Sequence, residues 1–248
     1  MKTIIVANWK MNPASFREAK KLFEATKKMA ERASGVSIIV APPVLFLRGL
    51  AAEYRGRKIS FAAQNTHFEL RGGFTGEISL PQVKDAGASH VIIGHSERRA
   101  MGESNEDTRK KVAAALSSKL IPILCVGETV RVKGGEHFTM IKEQLRVALL
   151  ELTPAHASRV IIAYEPAWAI GGESSISPQE MQTIAIFISK TMVDMHGKIG
   201  HRVKILYGAS IGEQNAAAMM KEGRVAGLIV GHVSIDAKRF GALLQSLA

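Results

Sequence analysis

Glu165 is the residue of this chain best placed to move a proton. It follows the apolar run Arg159-Val160-Ile161-Ile162-Ala163, which reads as a buried strand, so its carboxylate stands where a strand gives way to a loop. A carboxylate at such an end can face a cleft as a general base. Pro166 biases Glu165 away from helical dihedrals and stiffens the exit from the strand. Trp168 and the pair Gly171-Gly172 then give a loop with a bulky body and a pliable end, as a lid requires. Taken alone, the segment is read more simply as a surface glutamate beside a turn. The carboxylate gains chemical meaning only from what the other elements deliver beside it.

Those elements repeat from end to end. Short apolar runs predict strands over Thr3 to Ala7, Val36 to Ala41, Ile59 to Ala63, His90 to Ile93, Leu120 to Val126, Val160 to Ala163, Val203 to Tyr207 and Ala226 to Val230. Helical patterns alternate with them over Ala14 to Ala33, Val44 to Tyr54, Ser79 to Ala86, Ser104 to Ser118, His137 to Leu152, Ser177 to His196, Glu213 to Lys221 and Ile235 to Leu247. Ser177-Pro178-Gln179-Glu180 carries a helix-start signature, with Ser at the cap and Glu three residues on. The strands are almost continuously apolar, as parallel strands covered by helices are. Eight such units within 248 residues, with no linker or composition break, point to one domain spanning residues 1–248, a closed eight-stranded parallel (β/α)8 barrel. A doubly wound open sheet is the alternative; no glycine-rich dinucleotide fingerprint follows the first strand, which weakens it.

In a barrel the site lies at the carboxyl ends of the strands. The polar residues delivered there are Asn8 and Lys10, Gln64 and Asn65, His95, Cys125 with Gly127 and Glu128, Glu165, then Gly208, Ala209 and Ser210, and finally Gly231 and His232. A Lys, a His and a Glu converging from three strands suit proton abstraction beside a carbonyl. Glu165 takes the proton, Lys10 is a fixed positive charge for the oxyanion, and His95 donates a hydrogen bond to the same oxygens. Ser96-Glu97 reads as a short helix start, whose positive end favours a neutral His95. Glycine-rich turns after the sixth, seventh and eighth strands can present N–H groups to a phosphate. The chemistry expected is proton transfer on a small phosphorylated carbonyl compound without a cofactor. No Cys or His pair has metal-ligand spacing, and no serine nucleophile elbow is present.

Bulk properties narrow the class. Lys plus Arg number 33 against 22 Asp plus Glu, a formal charge of +11 that fits nucleic acid, a membrane surface or an anionic substrate. The basic residues are scattered. Their tightest pairs, Lys20-Lys21, Lys27-Lys28 and Lys110-Lys111, fall on amphipathic helices and read as solvated faces. With 6% aromatics and no interleaving of rings and cations, nucleic-acid binding is disfavoured. No apolar run approaches the ~20 residues of a membrane span. The N-terminal run is too short for a signal peptide, and Cys125 is the only cysteine; a cytoplasmic location is the expectation. Cys125 reads as packing beneath the site, and His67, His90, His137, His156, His196 and His201 as structural or exposed.

The motifs, in order, are Ala7-Asn8-Trp9-Lys10-Met11-Asn12, Ala63-Gln64-Asn65, Phe74-Thr75-Gly76-Glu77, Ile93-Gly94-His95-Ser96-Glu97-Arg98-Arg99, Leu124-Cys125-Val126-Gly127-Glu128, Tyr164-Glu165-Pro166-Ala167-Trp168-Ala169-Ile170-Gly171 and Tyr207-Gly208-Ala209-Ser210. Along its whole length the chain resembles the triosephosphate isomerase family, itself the standard example of a glutamate base, a neutral histidine and water-excluding loop closure. The resemblance implies a TIM barrel in which Glu165 shuttles a proton between C1 and C2. It implies that Lys10 and Asn8 bind substrate and enediolate oxygens, that His95 polarises them, and that Glu97 supports the site. It makes Pro166 to Ile176, including Trp168, Gly171 and Gly172, a lid whose closure keeps the enediolate from losing phosphate. Gly171, Ser210, Gly231 and His232 become the substrate and phosphate contacts. It also implies a homodimer, with the loop carrying Thr75 inserted into its neighbour, and no cofactor.

Departures from the family pattern cluster at the phosphate end. The lid reads Gly171-Gly172-Glu173-Ser174 where the family has Gly-Thr-Gly-Lys, Ala209 replaces a Gly, and His232 replaces the second Gly of a pair. A His there adds bulk and raises the expectation of an unusual dihedral. Either His232 points aside and its N–H still serves phosphate, or the pocket is reshaped, with His232 donating to a phosphate in a shifted position and Glu173 repelling it. Reshaping would favour a four-carbon sugar phosphate such as a tetrulose phosphate; a non-catalytic barrel used as a scaffold is a more distant alternative. The basic charge is expected to steer an anionic substrate inward, so turnover at low substrate should fall as salt rises.

Overall fold

In the computed structural model, which describes residues 2–171 and 175–247, eight parallel strands close on themselves. They are β1 Thr3–Asn8, β2 Val36–Ala41, β3 Ile59–Ala63, β4 His90–Ile93, β5 Ile121–Val126, β6 Ile161–Tyr164, β7 Lys204–Tyr207 and β8 Gly227–Val230. Each pairs with the next, and β8 returns to β1 with Ile5 opposite Leu228. The helices are α1 Phe16–Arg32, α2 Val44–Glu53, α3 Leu80–Asp85, α4 Ser96–Ala100, α5 Asn105–Ser117, α6 Glu136–Leu149, α7 Pro154–Ala157, α8 Pro178–His196, α9 Ala216–Glu222 and α10 Ala237–Ser246. The expected (β/α)8 barrel is therefore the fold.

Alternation along the strands sorts two cores. Ile4, Val6, Ile39, Ala41, Ile92, Ile123, Cys125, Ile161, Ala163, Leu206 and Ile229 belong to one packed group built from strand residues alone, which fills the barrel. Their neighbours Ile5, Ala7, Ile38 and Val40 belong to the larger group that includes Phe23, Leu47 and Leu243 of the helices. The inward series sets the site. Asn8 continues Ile4 and Val6, Glu165 continues Ile161 and Ala163, Gly208 continues Leu206, and Gly231 continues Ile229. Each lies one step beyond the packed interior, at the carboxyl end.

Helix ends follow local chemistry. Ser177 and Glu180 form the expected capping box, Ser177 N–H to Glu180 Oε2 at 2.8 Å and Glu180 N–H to Ser177 Oγ at 3.2 Å, worth about 1 kcal/mol. Several helices start later than their patterns predict, α1 among them at Phe16 behind the Ser15 cap. Asn215 Oδ1 accepts the Gly212 N–H at 3.0 Å, so residues 212–215 form a turn and α9 begins only at Ala216. The closing helix is divided: a 3-10 turn spans His232–Ile235, then Asp236 caps α10 by accepting the Arg239 N–H. The pair Lys110-Lys111 is not wholly a solvated face. Lys111 is buried, its ammonium 2.8 Å from both Glu103 Oε2 and Asn65 Oδ1. A helix of this pitch turns consecutive residues about 100° apart, so adjacent lysines take different fates.

His90 opens β4 at the amino end of the barrel, beside a cavity of about 430 Å³ also lined by Lys2, Arg159 and Lys204. Burial, reinforced by the Lys204 charge, pushes its pKa down to about 4 from 6.5. Between those values the unfolded chain binds a proton that the folded chain does not, so stability falls as pH drops through the window. His90→Asn should abolish about 2 kcal/mol of the loss between about pH 7 and about pH 5. Urea titrations of both proteins at the two pH values check this; an unchanged loss in the variant removes His90 as its source.

Candidate active site

A cavity of about 630 Å³ opens at the carboxyl ends of the strands, with Asn8, Lys10, His95, Glu165, Ser210 and Gly231 on its wall. Glu165 is 4% exposed and His95 6%. Glu165 Oε1 lies 3.6 Å from His95 Nε2, and its Oε2 accepts a long hydrogen bond from Ser96 N–H at 3.4 Å. Gly208 makes room for this carboxylate: a Cβ there would stand 2.2 Å from Ile229 Cγ2 and 3.1 Å from Glu165 Cγ.

His95 is the N-cap of α4, and its Nδ1 accepts the Glu97 N–H at 3.2 Å. An Nδ1 that accepts carries no proton, so the ring proton sits on Nε2, facing Glu165 and the cavity. A doubly protonated ring would set one N–H against another. Gly94, at φ +71°, turns the chain out of β4 to place this residue; a Cβ there would meet Arg99 Nη2 at 2.9 Å and Cys125 O at 3.1 Å.

Lys10 adopts φ +53°, a left-handed conformation costly for a side chain with a Cβ. Two contacts hold it there. Asn8 Oδ1 accepts the Lys10 N–H at 3.1 Å, and Gln64 Nε2 donates at 2.8 Å to both Lys10 O and Ala41 O. The ammonium lies 2.6 Å from Glu97 Oε1. Backbone strain is thus spent on aiming one positive charge at the cavity.

A glutamate, an imidazole whose Nδ1 accepts a backbone N–H, and an ammonium thus share one cavity wall. Residues 3–247 match the family model described as triosephosphate isomerase. The chain belongs to the triosephosphate isomerase family. It is 39% identical over 246 residues to the triosephosphate isomerase of Endomicrobium trichonymphae, covering 98% of each chain, and 37% identical to that of Aquifex aeolicus (strain VF5), covering 99% of this chain and 100% of the other. The crystal structure of triosephosphate isomerase from Bartonella henselae superposes with a TM-score of 0.87 at 31% identity, covering 99% of both chains.

The loop that the resemblance makes a lid leaves β6 through Pro166 and a 3-10 turn at Ala167–Ala169. It is pinned from below by the fully buried Glu128. That carboxylate accepts from Trp168 Nε1 at 2.9 Å and Tyr164 OH at 3.0 Å, with Arg131 Nε at 3.3 Å. Ser210 Oγ donates to Ala169 O at 2.7 Å, tying the lid to the loop after β7. Gly171 lines the cavity at φ +74°; Gly172 and Glu173 lie outside the described residues.

Ser210, Gly231 and His232 also line the cavity, Gly231 against the Lys10 side chain, where a Cβ would stand 3.0 Å from Lys10 Cε. His232 starts the 3-10 turn after β8, so the first N–H groups of that turn have no acceptor within it. The unusual dihedral expected at His232 is not found. Among the described residues, positive φ outside glycine occurs only at Lys10, Lys119 and Arg224. The backbone at His232, like that at Ala209, accepts a side chain without the left-handed twist.

Several strand-end residues serve elsewhere. Gln64 braces the Lys10 turn, Asn65 holds Lys111, and Glu128 lies under the lid. Glu97 stands behind Lys10, and Thr75 is exposed on the loop between β3 and α3. Cys125 is buried inside the barrel, where burial first and the Glu165 charge second push its thiol pKa well up, keeping it protonated and inert. Asn12, Gly212, Gln214, Asn215 and Arg239 also line the cavity, unforeseen from the sequence. Arg239 sits in the first turn of the last helix, beyond the strand-end positions where site residues are sought.

Proposed function

We propose that this protein interconverts glyceraldehyde 3-phosphate and dihydroxyacetone phosphate, moving a proton between C1 and C2 without a cofactor. The observation that carries the reading is the meeting of Glu165, Nε2-protonated His95 and Lys10 on one cavity wall. The relatives named triosephosphate isomerase over nearly the full chain supply its substrate. Glu165 removes a proton from the carbon next to the carbonyl, giving an enediolate. The Lys10 ammonium and His95 Nε2–H stabilise the negative oxygen. His95 gives its Nε2 proton to that oxygen and takes the hydroxyl proton from the other. Glu165 then returns its proton to the neighbouring carbon, completing the exchange. Asn8 fixes Lys10, and Ser210, Gly171, Gly231 and His232 hold the phosphate.

A coupled assay on both triose phosphates, with a four-carbon sugar phosphate as comparison, tests the reading. Turnover of the trioses at a kcat/KM at least 100-fold above the tetrose is expected, roughly what pocket fit alone can discriminate. Absence of triose turnover from folded protein would refute it.

The same reading makes the protein a cytoplasmic homodimer. Met11, Leu45, Leu70, Phe74 and Met101 are exposed apolar residues, and they follow β1, β2, β3 and β4, four consecutive strands of the barrel. Such a sector of apolar side chains around Thr75 suits burial against a second copy. Light scattering on the eluting protein reads the mass directly. Among the described residues no helix is long and apolar enough to cross a membrane.

A further inference from the structure

We propose that the Arg239 guanidinium is a side-chain arm of the phosphate site, setting affinity for the phosphoryl dianion rather than the rate of proton transfer. The identity of the anion rests on the isomerase reading; the cationic subsite rests on geometry alone.

Arg239 lies half-buried in the first turn of α10 and lines the cavity beside Gly212, Asn215 and His232. Its backbone is fixed, because its N–H donates to Asp236 Oδ1 at 3.0 Å. Its side chain reaches back over the turn that follows Ser210: Nη2 stands 3.7 Å from where a Cβ on Gly212 would be. The guanidinium therefore borders the cavity beside the loop after β7.

Among the described residues its ion-pair partner is Glu213, Nη2 to Oε2 at 3.5 Å. That is well beyond the ~2.8 Å of a charge-assisted hydrogen bond. Several other pairs close more tightly, Lys10–Glu97 at 2.6 Å, Arg146–Glu143 at 2.8 Å and Arg48–Asp85 at 2.9 Å, while Arg98–Glu103 is as long at 3.5 Å. Glu213 Oε2 is buried, and its contact with the Arg239 guanidinium is a long, weak one. A planar fork of five N–H donors thus borders a polar cavity while held only loosely by Glu213. Lys10 is the other cation among the described lining residues, and it is already committed to Glu97. Guanidinium geometry matches two oxygens of a phosphate, so a phosphoryl group entering beside it meets a loosely held bidentate donor. Glu213 holds the fork loosely while the cavity is empty.

Steady-state kinetics on glyceraldehyde 3-phosphate and on unphosphorylated D-glyceraldehyde, with inhibition by inorganic phosphate, test this in the intact protein. Arg239→Ala should raise KM for the phosphorylated substrate and Ki for phosphate by about tenfold or more, as loss of a charged hydrogen bond does. kcat/KM on D-glyceraldehyde should stay within about twofold of the parent, since no phosphate is there to lose. Arg239→Lys should recover part of the loss. Glu213→Gln should leave phosphate affinity unchanged or tighter, whereas a merely structural pair makes it as harmful as Arg239→Ala. An unchanged phosphate Ki in Arg239→Ala, or an equal loss on both aldehydes, overturns the proposal. Calorimetric titration with inorganic phosphate reads Arg239 even if triose turnover is absent, so the subsite and the isomerase reading fail separately.

Discussion

Glu165→Gln is expected to lower kcat for triose phosphate interconversion by about 1,000-fold while changing KM little, the scale of losing a positioned general base. The substitution keeps the shape of the side chain and an oxygen able to accept the Ser96 N–H, and it stays between Ser96 and His95 Nε2. What it loses is the lone pair basic enough to take a carbon-bound proton. Because the contact is made in the transition state, the loss belongs in kcat and in kcat/KM equally. Glu165→Asp separates basicity from placement. It retains a carboxylate but withdraws it by about one carbon–carbon bond, and a misplacement of about 1 Å costs about 100-fold. The ranking Glu above Asp above Gln, with unchanged thermal melts, is the expected pattern in the coupled assay. A Gln variant within tenfold of the parent would end the case for Glu165 as the base.

How much of this was legible in the residues can be followed strand by strand. The barrel was, because eight apolar runs alternate with helical patterns and each strand buries both faces. The catalytic candidates were legible for the same reason. Glu165 and Asn8 continue inward-facing series, so a reader who finds the strand finds the side chain's direction. His95 needed more, since only Gly94 at φ +71° aims it. Residues whose role depends on distant partners were misplaced. Asn65 and Gln64 stand at a strand end like true site residues, yet Lys111 and the Lys10 turn claim them. The start of α9 slipped because a turn held by Asn215, which accepts the Gly212 N–H, precedes the helix, and the hydrophobic pattern cannot show it. Arg239 was invisible because nothing in a run of residues says that the first turn of the last helix folds back over the loop after β7. The strain expected at His232 did not materialise, because a glycine can be common at a position whose φ does not require it.

Lys10→Met is expected to lower kcat/KM by about 1,000-fold, the upper scale for removing one preorganised donor from an oxyanion. Methionine matches the length of the lysine stem, so packing is nearly kept while the ammonium is deleted. Two effects add in the same direction. The enediolate loses the charge nearest its oxygens, and Glu97, whose Oε1 is 2.6 Å from the ammonium, becomes an unneutralised carboxylate beside an anionic substrate. Glu97→Gln distinguishes them. It keeps the ammonium but releases it from its partner, so a smaller loss of about tenfold is expected from looser aim alone. In the double variant the second effect disappears, and Lys10→Met/Glu97→Gln should be more active than Lys10→Met by itself. That inversion is specific: if Glu97 only scaffolds the loop, the double variant is worse than either single one. The charge also acts at a distance. In the parent, kcat/KM should fall with rising salt as the +11 chain loses its pull on the dianion, and the Met variant should fall less steeply. Lys10 owes this reach to its held left-handed turn. A chain that keeps a side chain at φ +53° through Asn8 and Gln64 has fixed where its positive charge stands before any substrate arrives.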